Sequence, residues 1–450
     1  HPARRTGTIA PPLSRLYQSS GAQRRQRQLT ETPYRLPREQ RLLLLMVGSS
    51  LFINNYDLGI FSLALPQIQA SLSIQEENIA FFTGIIRFGV LLAFPLAFMA
   101  DVVGRKRLLI ITIAGMTLST VLTAFAQTDI QFLILQTLAR CFAYAEDMIC
   151  YVIVAEEIDA RMRGWALGRL AAIGTLGYGL SALLYMQIDV LPHGWRDFYL
   201  IGASGLIVII LARTQLRETK RFTDLHTLRA ATTRTMMQHL APVISLARDY
   251  PGRFAALVAT TAPFSFGLAA TFAFISKFLQ DTHNYTPAQV GTLQFFGGAL
   301  AILGYFVAGR ISDRVGRRMV LTFTILPASA LFYVFYLTSD PYILVASWIC
   351  ALFLYFAAEV TLSALGAELF PTSYRATSSA ARGVINVTAG IAGLAAESAI
   401  FPLVGSHATA IVILLSVAPL AIIPVLLFLP ETAGRNLEEV SPEVDLTIIK

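Results

Sequence analysis

Twelve apolar blocks follow one another along the chain, each near the ~20 residues a bilayer requires. They lie at 42–70, 79–100, 108–126, 130–155, 165–188, 197–212, 254–279, 288–308, 319–338, 341–366, 377–402 and 408–429. Hydrocarbon offers no water to backbone N–H and C=O groups, so only helices and closed barrels cross it. The blocks are continuous rather than alternating, which argues against a barrel. The expected fold is therefore an all-α membrane protein with twelve transmembrane helices, numbered here as spans 1 to 12. Composition agrees, since only 14% of the 450 residues are charged and 55% are hydrophobic, whereas soluble chains carry far more charge. Block six is the shortest and its ends are weakly marked.

The basic residues give the orientation. Of the 35 Lys and Arg, all but Arg87, Arg140, Arg196 and Lys277 lie in the tails, in the connections after spans 2, 4, 6, 8 and 10 or, as Arg169 and Arg382 do, at the start of the span that follows such a connection. Positive residues stay inside, so both termini are expected in the cytoplasm, and a bacterial inner membrane is the expected site. The net charge of +7 then reports topology, and no nucleic-acid partner is needed to explain it. Cys141, Cys150 and Cys350 fall inside spans, odd in number and without metal-ligand spacing. The six His fall in tails or loops. Neither a metal nor a cofactor is expected. A phosphate-binding GxxxxGK[ST] loop and a nucleophile–base pair are both missing from the sequence, so neither ATP-driven transport nor an enzyme is indicated. Residues 1–41 are Arg-rich and contain no Lys; a disordered cytoplasmic tail is preferred to an organellar transit sequence.

The chain is also internally repeated. "DVVGRKR" at 101–107 returns as "DRVGRRM" at 313–319, and "AEEIDARMRG" at 155–164 returns as "AELFPTSYRA" at 367–376, both at an offset of 212. "LRETKR" (216–221) and "LPETAGR" (429–435) end the two halves alike. Two unrelated echoes at one offset indicate duplication of about half the chain. The expected units are a tail at 1–41, a six-helix half at 42–212, a basic linker at 213–253, a second half at 254–429 and a tail at 430–450. The linker has the composition of an amphipathic helix on the membrane surface. An even number of spans per half makes the repeats parallel, with a cavity between halves that rock against each other.

"GRISDRVGRR" resembles the loop motif G-x-x-x-D-[RK]-x-G-R-[RK] of the major facilitator superfamily. It matches at Gly309, Asp313, Arg314, Gly316, Arg317 and Arg318; in the first copy, "AFMADVVGRKR", Ala97 and Val102 depart from it. "AEEIDARMRG", "AELFPTSYRAT" and "LPETAGRNLEE" resemble loops of the sugar-porter and metabolite:proton-symporter branches. The resemblance implies two pseudo-symmetric six-helix bundles, secondary transport by alternating access, and cytoplasmic charge clusters that hold the cavity shut.

Charges shared by both halves read as common machinery. Asp101 and Asp313 are expected to accept N–H groups at a neighbouring helix N-terminus. Gly104 and Gly316 belong to the same loops. Arg105 and Arg317 are expected to pair with Glu156 and Glu368, with Arg163 and Arg375 joining those clusters. Asp147, Glu359, Arg169 and Arg382 are expected to pair, across or within halves, as a deeper layer of the same gate.

Charges found in one half only are better candidates for coupling. These are Asp57 on span 1, Arg87 on span 2, and Arg140 and Glu146 on span 4, whose partners at +212 are Ala269, Ala299, Leu352 and Ala358. An ionised group deep in a bilayer is costly unless paired or hydrated, and so marks an ion or substrate path. At ~1.5 Å per residue Arg140 lies about 15 Å from the end of span 4, close to mid-membrane. Asp57, at similar depth, is the expected proton carrier, and a fixed structural pair with Arg87 or Arg140 is the alternative. The resemblance adds that sugar porters and related symporters often carry an Asp on span 1. Asn54, Asn55, Asn386 and Gln294 offer neutral hydrogen bonds to the path. Tyr144, Phe264, Phe266, Phe295, Tyr305 and Phe356 are candidates for an apolar wall. Glu397 is placed either at the outer rim or in the path.

The expected function is proton-coupled symport of a small polar organic metabolite, an organic acid before a sugar, by a monomer in contact with membrane lipid. The alternatives are proton-antiport efflux of organic cations or drugs, and a non-transporting sensor or interaction protein on the same fold.

Overall fold

The computed structural model describes residues 37–99, 104–158, 162–213 and 236–432. All of these residues that form regular structure are helical. Span 1 is Arg38–Leu63 with its extension Leu65–Leu72, span 2 is Ile79–Phe98, span 3 Arg105–Ala124, span 4 Asp129–Glu157, span 5 Arg163–Tyr185 and span 6 Trp195–Arg213. A helix at Met236–Asp249 follows. Span 7 is Pro251–Ala273 with its extension Ile275–His283, span 8 is Pro287–Val315, span 9 Arg317–Leu337, span 10 Pro341–Glu368 and span 11 Arg375–Val404. Span 12 starts at His407–Leu415 and resumes as Ile422–Leu427 after a 3-10 turn, Ala418–Ala421. Ten of these helices are long and apolar enough to cross a membrane by length and composition alone. Span 4 is outside that set because Arg140, Glu146 and Asp147 interrupt its apolar run. The expected tails and the linker stretch 214–235 lie outside the described residues, apart from short flanks.

Polar caps fix where spans 4, 8, 10 and 12 start. Thr128 accepts from the Gln131 N–H, Asp340 from Tyr342 and Ile343, and Ser406 from Thr409. Thr286 and Gln289 form a reciprocal capping box ahead of span 8, with Pro287 in its first turn. Spans 3 and 9 start at the opposite face, the one bearing the loop motifs, and they start from glycine. Gly104 has φ 101° and Gly316 φ 116°, a region that L side chains enter only under strain.

The repeat is visible in the backbone. Spans 1 and 7 are each interrupted, at Ala64 and Phe274, and their extensions end on left-handed residues, Ser73 (φ 52°) and Asn284 (φ 54°). These features correspond at offsets of 210 and 211. The uniform offset of 212 is thereby corrected for span 1: Asp57 corresponds to Gly267, not Ala269, and it remains unrepeated. Spans 2 and 8 cross spans 4 and 10 at glycine: a Cβ at Gly89 would stand 2.3 Å from the Thr137 carbonyl oxygen, and one at Gly304 2.4 Å from that of Phe353.

Hydrogen bonds between the halves gather, among the described residues, toward the face away from the motifs. Ser62 Oγ donates to the Phe272 carbonyl (3.1 Å) and Ser276 Oγ to the Leu63 carbonyl (2.5 Å). Gln67 donates to Gln280 (2.8 Å), and Tyr185 contacts Gln67, Ser276 and Gln280. Outward-facing side chains such as Leu118, Phe125, Phe323 and Phe428 are exposed, as lipid contact requires.

Candidate functional site

Between the halves lies a cavity of about 720 Å³, within the size range of small-molecule sites. The two halves supply different chemistry to it. Spans 1, 2, 4 and 5 contribute Asn55, Ser62, Thr83, Arg87, Arg140, Tyr144 and Tyr178. Spans 7, 8 and 10 contribute Phe264, Phe272, Phe295, Trp348, Tyr355 and Phe356. These rings brace one another: Phe272 and Tyr355 are 4.6 Å apart, and Phe264 stacks on Tyr355 at 5.6 Å. Tyr305 stacks on Phe356 at 4.8 Å. Phe266, an expected wall residue, is not part of the lining. Gln294 does line it and accepts from Trp348 Nε1 at 2.8 Å, which holds the indole edge in place.

Arg87 is the least compensated charge in the cavity. Its only polar partner among the described residues is Asn386 Oδ1 across the halves, at 3.5 Å, the outer limit of a hydrogen bond. It rests against Gly390, where an added Cβ would come within 2.6 Å of its guanidinium carbon. The alternative expectation of an Asp57–Arg87 pair is therefore corrected. Behind Asn386, Glu359 lines the cavity and pairs with Arg382 at 3.0 Å. The pairing is within one half, so Glu359 does not reach Arg169.

Arg140 lines the cavity from the other side and bridges to Asp57. Its Nη2 lies 3.3 Å from Asp57 Oδ2 and 3.2 Å from the Asp57 carbonyl oxygen. Both side chains are 3% exposed, and Asp57 itself does not line the cavity. A smaller cavity of about 240 Å³ shares Asn55, Arg140, Tyr144 and Thr175 with the main one and extends along span 4 to Asp147 and Tyr151. Asn54 lines this smaller space, donating to Asp147 at 2.7 Å and to the Ala143 carbonyl at 3.2 Å. Glu146 is fully buried and borders neither cavity, because its place on span 4 turns it away from both.

At the motif face the second-half cluster assembles around Arg317. It pairs with Glu368 at 3.0 Å and with Asp313 at 2.6 Å. Asp313 was expected to cap a helix. Its carboxylate is taken by Arg317 one turn ahead, and the capping falls to Glu431, which accepts the N–H groups of Arg317 (2.7 Å) and Arg318 (3.1 Å). Thr432 donates to Glu368 at 2.5 Å. Arg375 does not join this cluster; its buried Nε has no hydrogen-bond partner. In the first half, Asp101 and the side chains of Arg105 and Arg163 lie outside the described residues, and Glu156 is half-buried.

Sequence reasoning missed a second cluster on the far face. Glu397, fully buried, contacts His407 Nδ1 at 2.6 Å, and His407 Nε2 lies 3.1 Å from Glu76. Lys277 joins Glu76 at 2.9 Å and Asp281 at 2.7 Å. One signal was available: Lys277 is one of two basic residues on the sparsely charged side.

Two helical halves around a cavity with paired charges deep in the membrane define a multi-pass transporter rather than an enzyme. The chain belongs to the Major Facilitator Superfamily, whose family model matches residues 47–396 and 257–445, and it is a secondary transporter of that family. Its fold is similar to the crystal structure of D-xylose-proton symporter, with a TM-score of 0.71, 15% identity and coverage of 88% of this chain and 99% of that one. In sequence it is similar to a Cupriavidus pinatubonensis protein named "Probable 4-methylmuconolactone transporter", 25% identical over 72% of this chain and 75% of that protein. It is likewise similar to the Acinetobacter baylyi "Cis,cis-muconate transport protein", 25% identical over 77% and 84%.

Proposed function

We propose that the protein carries a small organic acid with an apolar, unsaturated body, coupled to protons in the same direction. The observation that carries this reading is Arg87, a guanidinium that lines the cavity opposite an aromatic wall and has one long contact to a neutral amide. A carboxylate would give Arg87 the bidentate partner it lacks, and the facing rings would take the hydrocarbon body. The names of the muconate and muconolactone relatives support the class. Efflux of organic cations would call for an uncompensated carboxylate in the lining; Glu359, the one carboxylate lining the main cavity among the described residues, is held by Arg382.

Coupling is assigned to Asp57 and Arg140. In the structure Arg140 is the counter-charge of Asp57. A substrate that draws Arg140 into the cavity strips Asp57 of its counter-charge in a buried setting, and Asp57 then binds a proton. Substrate and proton thus load together. The motif face is taken as cytoplasmic from the distribution of Lys and Arg, in a multi-pass membrane protein acting as a monomer.

The test is uptake of labelled organic acids, sugars and cations into proteoliposomes under an imposed pH gradient. Gradient-driven accumulation of an acid is expected. Asp57→Asn should abolish accumulation and leave substrate exchange. Unchanged accumulation in that variant would count against the proton assignment, and accumulation of cations in exchange for protons would overturn the substrate class.

A further inference from the structure

The cluster on the far face joins groups from both halves and has no part in the coupling described above. Glu76 comes from the turn Glu76–Asn78 between spans 1 and 2. Glu397, His407, Lys277 and Asp281 come from spans 11 and 12 and the extension of span 7. These four and Glu76 are the charged and titratable groups facing one another there. The imidazole is held flat between two rings, Phe401 at 4.2 Å and Phe274 at 4.7 Å. Its two nitrogens therefore point in fixed directions, and each meets a carboxylate oxygen: Glu397 at 2.6 Å and Glu76 at 3.1 Å.

A neutral imidazole has one N–H and one lone pair, and an ionised carboxylate only accepts. The Glu397 contact is a hydrogen bond, while Nε2 meets Glu76 at ion-pair distance outside hydrogen-bond geometry. Two ionised carboxylates against one ring are better balanced in charge when the triad holds one more proton than neutral His with two carboxylates. That proton sits on the ring as imidazolium, or on one carboxyl group. Either way the assembled triad contains it. Glu397 sharpens the requirement, because it is fully buried and a lone buried carboxylate is costly.

We propose that His407, between Glu397 and Glu76, is a second proton-binding site, distinct from Asp57, and that its proton latches the two halves together on this face. When the halves part, Glu76 leaves with its own half. His407 Nε2 then faces water, while Lys277 keeps Asp281 and Glu397 keeps Nδ1. The separated state binds the proton less well. By linkage, acid on this side favours closure and alkali favours opening. The site is independent of substrate identity and of the Asp57 assignment.

The test uses full-length protein in lipid nanodiscs, spin-labelled at Asn78→Cys and Thr282→Cys. Both positions are exposed, on opposite halves, and outside the cluster. Cys350, the exposed native thiol, is replaced by Ser, and Cys141 and Cys150 are buried. Electron–electron distance measurements then give the closed and open populations between about pH 5 and about pH 8, where His changes charge. The closed-to-open ratio is expected to fall with rising pH, at up to about tenfold per pH unit, the limit for one proton. His407→Gln and Glu76→Gln should each flatten that slope, and Asp57→Asn should leave it intact. A wild-type ratio that is flat or rises with pH overturns the proposal, as does a wild-type slope in either cluster variant. If His407→Gln does not fold, Glu76→Gln alone decides, since Glu76 is the more exposed partner. Loss of the slope in Asp57→Asn would assign the proton to the central site instead.

Discussion

Arg87 and Asp57 show how differently two membrane charges can be kept. Asp57 is closed off behind Arg140 at 3.3 Å, so removing either partner leaves a buried charge, at a cost of about 3–5 kcal/mol. Arg140→Ala is accordingly expected to lower the thermal unfolding temperature in detergent and to stop transport. Arg87 is less constrained, and its replacement should act on substrate. Arg87→Lys is expected to raise KM about tenfold or more with little change in unfolding temperature, because a point charge cannot replace the planar fork. Gly390→Ala should do the same from the other half, since the added methyl would sit 2.6 Å from the guanidinium carbon; normal uptake kinetics in that variant would mean Arg87 has a second resting place. The sequence singles out all four unrepeated charges as special. It does not distinguish Arg140 from Arg87 as the partner of Asp57, nor show that Glu146 turns away from the cavity. Those facts depend on helix rotation, which an unbroken apolar run leaves undetermined.

Among the elements, the start of span 9 shows what the repeated motif does locally. Gly316 takes a φ of 116° so that the chain can turn into the helix, and Glu431, four residues beyond span 12, accepts the first two N–H groups. Carboxylates in that position offset the helix dipole. Glu431→Ala is expected to cost about 0.5–2 kcal/mol, read as a drop in unfolding temperature. Gly316→Ala should cost more, because it adds backbone strain and places a Cβ 2.6 Å from the Glu431 carboxylate. The sequence identifies the motif and its doubling. It points to Asp313 as the capping group because Asp313 is the acid inside the motif, whereas the group that caps comes from more than a hundred residues away. Helix number and limits are legible for a simple reason: bilayer thickness sets them. The interruptions at Ala64 and Phe274 are harder to foresee, although Pro66, which has no N–H to give, marks the first.

For the whole molecule, the hydrogen bonds between the halves lie, among the described residues, mainly on one side. Cross-linking Gln67→Cys to Gln280→Cys, whose native side chains meet at 2.8 Å, is expected to reduce uptake to background, with recovery on reduction. Full activity in the cross-linked protein would mean that this face need not open. The His407 cluster was not legible because its members lie in four separate stretches of sequence. The Ser62 and Ser276 contacts have a further consequence. Each interrupted helix presents a carbonyl, at Leu63 or Phe272, and each is satisfied by a hydroxyl from the opposite half. Parting the halves removes both donors at once. Each exposed oxygen must then be hydrated or regain an amide as its helix straightens, so opening of this gate is tied to water entry at the two breaks or to the winding of spans 1 and 7.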